Sequence, residues 1–146
     1  MRPHLLLSLS LSFVSIATTA PAWPTGPLED DIRALKQTSV FAIGQVGFIG
    51  HISESEQRYR RILQNPTALE DFRRMLDDDS ATDEARLYAA CGVRALAASE
   101  FDTLTRTLRL SGRSVSILRT DILKREPLQY QLRMIGESGC NDAYWR

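Results

Sequence analysis

The apolar positions of this chain recur mostly every three or four residues, and the longest such stretch, Ser80 to Ala98, is apolar or small around most of its circumference. Projected at ~100° per residue, it leaves Asp83, Arg86, Ala90, Arg94 and Ala97 on one narrow stripe, the only part expected to meet water. The remaining arc, which holds Leu87, Tyr88, Cys91, Val93 and Leu96, is wider than a surface helix needs, so neighbouring helices must cover it from at least two sides. Its flank of Ala85, Ala89 and Gly92 is small enough to admit a close neighbour. Ser80 with Asp83 three residues on reads as a capping box that opens this central helix.

Shorter amphipathic stretches flank it. Pro27 suits the first position of a helix carrying Leu28, Ile32 and Leu35 to about Gln37. Ser53 and Glu56 form a second capping box before Tyr59, Ile62 and Leu63, in a helix that ends at Gln64. Asn65 as cap and Pro66 as first helical residue then open a helix with Ala68, Leu69, Phe72, Met75 and Leu76 on one face, of which Phe72 and Leu76 are expected to meet the central helix. Ser99 and Asp102 repeat the cap ahead of Phe101, Leu104 and Leu108, and Ser111-Gly112 closes that helix. The core predicted from these faces is Leu69, Phe72, Leu76, Leu87, Tyr88, Ala89, Gly92, Val93, Leu96, Phe101, Leu104 and Leu108.

Two stretches break the pattern. In 39–52, Val40, Phe41, Ile43, Val46, Phe48 and Ile49 alternate irregularly with Gly44, Gly47 and Gly50. The spacing favours a glycine-faced helix packed on the central one, with an extended buried run as the alternative. Beyond Gly112 the period shortens to two: Val115 and Ile117, then Leu128, Tyr130, Leu132 and Met134, alternate with polar residues, which predicts a hairpin turning through Lys124 to Pro127. A terminal helix is the alternative over the same 113–135 region, because Leu128, Leu132 and Ile135 also share a helical face. The tail after Gly136 reads as irregular, with Trp145 folding back.

The first residues belong to a different category. Arg2 and His4 precede the apolar run Leu5 to Ile16, and Ala20-Pro21-Ala22 supplies a small-residue cleavage pattern, so residues 1–22 read as a secretory signal peptide and 23–27 as a short leader. An uncleaved anchor is the alternative, but the run is shorter than the ~20 apolar residues that span a bilayer. Removing the first 22 of 146 residues leaves 124, one helical domain from 28 to 146. That chain carries 17 basic and 18 acidic side chains, so no overall field draws it to nucleic acid, and no stable membrane insertion is expected once the signal is gone. Its destination is the periplasm or the exterior.

Two cysteines, Cys91 and Cys140, remain in this exported chain. They either form a disulfide, as an oxidising compartment favours, or stand as a buried small hydrophobe and a free surface thiol.

The segment ALEDFRRMLDDDSATDEARLYAACGVRALAASEFDTLTRTL, two helices joined by an acidic turn and followed by a third, resembles a helical repeat of the HEAT type. An internal echo accompanies it: Phe41, Ala42, Val46 and Ile49 match Tyr88, Ala89, Val93 and Leu96 at an offset of 47, and Tyr59 and Leu63 match Leu104 and Leu108 at 45. The resemblance covers about residues 39–110 and implies a mainly α fold, a compact set of helical hairpins around 80–98, serving as a scaffold that binds another protein. It brings no catalytic residues.

The available chemistry is sparse. His51 is the one histidine after the signal, so a multi-imidazole metal centre is excluded, and no metal or cofactor is expected. Asp77-Asp78-Asp79 fails as a calcium loop because Ala81 and Tyr88 would occupy ligand positions. A small secreted hydrolase is the alternative to the scaffold reading; it would draw on His51, a serine, or carboxylates among Glu54, Glu56, Glu100 and Glu137. Gly136-Glu137-Ser138-Gly139 is one residue short of a nucleophile elbow.

Overall fold

Pro27 at the first helical position starts α1, Pro27–Lys36, and the chain of elements continues through α2 (Glu54–Leu63), α3 (Ala68–Asp77), α4 (Asp83–Leu96), α5 (Phe101–Arg109) and α6 (Leu128–Ser138). The computed structural model describes residues 26–141, so the signal-peptide, leader and Trp145 expectations fall mainly or wholly outside the described residues. The fold is mainly α, with a two-stranded antiparallel hairpin near the C-terminal end, β3 (Ser114–Arg119) and β4 (Ile122–Pro127).

Helix α4 lies at the centre and touches each of the other five helices and β3. From Glu84 to Val93 every residue is buried, including Arg86 and Ala90, which corrects the expected water-facing stripe. Ala90 is covered on its own side. The Arg86 guanidinium donates to the Asp78 carbonyl at 2.7 Å and faces Asp79 and Asp83, so it caps the acidic turn instead of reaching solvent. The helix starts later than the sequence suggested: Thr82, not Ser80, is the cap, its hydroxyl accepting from the Ala85 N–H at 3.1 Å. At the other end Leu96 is 45% exposed and leaves the predicted core, because the chain turns away into a 3₁₀ turn at Ala98–Glu100.

Gly92 explains how tightly α3 packs. A Cβ there would sit 2.1 Å from the Phe72 ring, so the ring occupies the space that any other residue's side chain would need. Tyr59, Phe72, Tyr88 and Phe41 then form a run of tilted rings with centroids 4.7 to 5.8 Å apart through the core. Leu69 and Leu104 are partly buried against that core, and Leu76, Leu87, Ala89, Val93, Phe101 and Leu108 are buried within it.

Cys91 and Cys140 are joined in a disulfide, with Cα atoms 5.5 Å apart, across a sequence separation of 49. Of the two readings of the cysteines, the bridge is the one realised, and it fits an oxidising, exported location. It ties the end of α6 to the middle of the central helix.

Two further helix starts are corrected, and a third keeps its cap. Asn65-Pro66 forms a turn in which the Asn65 side chain accepts from the Thr67 N–H and hydroxyl, so α3 begins two residues later than expected. Ser99 and Asp102 make no cap; α5 grows out of the 3₁₀ turn with no side-chain cap bond. Ser53 does cap α2 through the Glu56 N–H, but the Glu56 carboxylate turns elsewhere.

Both irregular stretches also differ from expectation. Residues 39–52 are not a helix: Phe41 bridges Ile117 in parallel, Phe41–Ile43 run buried and extended, and β1 (Gln45–Val46) pairs with β2 (His51–Ile52) in a tight hairpin. Phe41, Ala42, Val46 and Ile49, one half of the internal echo, therefore stand on non-helical backbone. Downstream, the second strand is Ile122–Pro127, and Leu128 to Met134 belong to α6. The helical face of Leu128, Leu132 and Ile135 prevailed over the two-residue alternation because all three bury completely against the helices.

Candidate interaction surface

The two hairpins meet side by side. The Gly47 N–H donates to the Thr120 carbonyl at 2.7 Å and Val46 bridges Thr120, which sets the β1–β2 tip against the β3–β4 turn. Thr120 takes φ 53°, an uncommon conformation for a β-branched residue, held in place by that contact.

Each tip lifts two large apolar side chains into solvent. Phe48 is fully exposed, Ile49 is 87% exposed, and Ile122 and Leu123 are 53 and 59% exposed. Six large hydrophobic side chains stand exposed among the described residues, and these four share one end of the molecule; Leu96 and Leu110 are the others. Gly47 and Gly50, at φ 75° and 65°, make the sharp turn that pushes Phe48 and Ile49 outward. A side chain at position 47 would also meet the His51 ring at 3.0 Å.

The root of the first hairpin is fixed by buried polar groups. The Tyr88 hydroxyl donates to the Ala42 carbonyl at 2.8 Å and accepts from the Ala42 N–H at 3.0 Å, so one side chain of the central helix satisfies both backbone groups of a residue in the extended run leading to β1. The Glu56 carboxylate, only 1% exposed, accepts from the Gly44 N–H at 2.7 Å and from Arg60 at 2.6 Å. Burial pushes the Tyr59 and Tyr88 hydroxyls up to about 12, with the Glu56 charge adding to both. The second hairpin is held in the same way: Glu84 accepts from the Ser116 N–H at 2.7 Å and faces Arg125 at 3.4 Å. Neither role was read from the sequence, where Glu56 figured as a capping-box partner and a candidate carboxylate.

The residues considered for hydrolysis do not converge. His51 is exposed on β2, and among the described residues its ring accepts or donates no hydrogen bond to a carboxylate or serine. Glu54 pairs with Arg58, Glu56 is committed to Gly44 and Arg60, Glu100 is held by Arg73 across 27 residues, and Glu137 lies at the end of α6. Gly136 to Ser138 continue α6 to its last turn. Among the described residues no group of three His, Cys, Asp or Glu side chains gathers where a metal ion would sit, and no helix is long and apolar enough to cross a membrane.

Grooves elsewhere are shallow and charged. One of about 580 Å³ between α1 and α3 has a floor of Leu28, Ile32 and Met75, with acids and bases along its rim. No family model, curated protein or solved structure matches this chain.

Proposed function

We propose that this protein is an interaction module exported to the periplasm or exterior, which binds another protein through its paired hairpin tips. The observation that carries the reading is the cluster Phe48, Ile49, Ile122 and Leu123, held out on ordered backbone at one end. Exposed single hydrophobics are ordinary, but a cluster fixed by tight turns and buried polar anchors marks a contact surface. Fully burying one such side chain contributes about 1.5–3 kcal/mol, so four supply the apolar centre of a specific interface. The HEAT-type resemblance points toward the same kind of protein-binding role.

A photo-crosslinking residue at position 48, in the full-length disulfide-bonded protein returned to its own exported fraction, tests this. One discrete protein adduct, lost when Ile49, Ile122 and Leu123 are replaced by Ser, is the expected result. Absence of any adduct under conditions where the protein is folded would refute it.

A further inference from the structure

Along the second hairpin, from its root at Arg113 to its turn, three ion pairs leave the base more exposed than the acid, whereas Glu54–Arg58 beside the first hairpin is the reverse. Arg125 is 63% exposed while its partner Glu84 is 10% exposed; Arg113 is 45% exposed against Asp83 at 17%; Arg119 is 42% exposed against Glu126 at 18%. Lys124 is exposed and makes no ion pair among the described residues, and it stands next to Leu123 on β4. Asp121 is the one exposed acid on the same hairpin. The ion pairs balance formally, yet a partner approaching from solvent meets guanidinium and ammonium groups first.

From this we propose that the partner presents an apolar cleft rimmed by carboxylates: Phe48 and Ile49 enter the cleft while Lys124, Arg119 and Arg125 meet the rim. The inference rests on the tips being the contact surface and adds the chemistry of what they meet. Two copies of this chain would bring like charges together, so the geometry points to a different, acidic protein. Rim charges of this kind act mainly on the rate of encounter and its salt dependence, whereas the apolar centre sets how long the complex lasts.

The protein caught by the position-48 crosslinker is identified by mass, purified, and titrated with the full-length disulfide-bonded protein. Affinity is expected to fall at least about tenfold between about 50 and 500 mM salt. Lys124→Glu should weaken binding about three- to tenfold. Lys124 is exposed and has no ion-pair partner among the described residues, so that variant should keep its fold, and Lys124→Gln should fall between wild type and Lys124→Glu. Binding that responds neither to salt nor to Lys124→Glu would overturn the acidic rim while leaving the contact surface standing. If no adduct forms and the protein instead sediments with vesicles containing phosphatidylglycerol, a lipid surface replaces the protein partner and the proposal fails. Absence of any adduct defeats the underlying reading too, whether or not the protein sediments.

Discussion

The helical body and the hairpin end of this molecule use apolar residues in opposite ways. Around α4, side chains as large as Tyr88 and Phe72 are wholly enclosed, and even Arg86 is drawn inside and satisfied. At the tips, Phe48 and Ile49, just as apolar, are raised into water on a glycine turn, and Ile122 and Leu123 on β4 stand more than half exposed. The difference separates residues that hold the fold from residues held by it. Substitutions in the body should register in stability, and substitutions at the tips only in binding.

Cys140→Ser should have the largest effect. Releasing a 49-residue loop removes on the order of 4 kcal/mol in the chain-entropy model, and denaturant melts should show the loss; a change under 1 kcal/mol would mean that the bridge contributes little to the body's stability. Gly92→Ala comes next. The added methyl would overlap the Phe72 ring, so despite the better helix propensity of Ala a net destabilisation of about 2 kcal/mol is expected, read as a lower midpoint at unchanged slope. Tyr88→Phe tests the link between the two regions: it strands the Ala42 N–H and carbonyl, about 1–3 kcal/mol, and hydrogen exchange at residues 41–46 should rise more than in α3.

A smaller effect belongs to the body's surface. The Lys36 ammonium, followed by the Ser80 hydroxyl and N–H, holds the Asp78 carboxyl well below its usual value of 3.8, and the Arg61 guanidinium lowers Asp31. A depressed folded-state value stabilises the protein above the unfolded value and is lost as pH falls through it. Stability should therefore decline below about pH 4, and more gently in Asp78→Asn. An equal decline in that variant would remove Asp78 from the account.

The same division governs what the sequence made legible. Helical periodicity located α1 to α5, because an amphipathic face repeats every turn, and it found the buried centre. It missed the hairpin tips because 39–52 is a short extended run with three glycines, too brief for either period to establish itself. It displaced the second strand because Leu128, Leu132 and Ile135 fit two periods at once, and only their burial against the helices decides between them. Arg86 was placed by helical projection and Glu56 by a capping pattern, yet their partners lie on turns that no local pattern specifies. For the candidate surface, the one advance signal was the alternation of glycine with Phe48 and Ile49, which fits a turn better than a helix packed on α4.

The central claim is tested most directly by Phe48→Ser combined with Ile49→Ser, measured for thermal stability and for formation of the crosslinked adduct through a probe placed at position 123. The account predicts a stability change within about 0.5 kcal/mol and loss of the adduct. A protein that unfolds substantially more easily, or one that still forms the adduct, would contradict it.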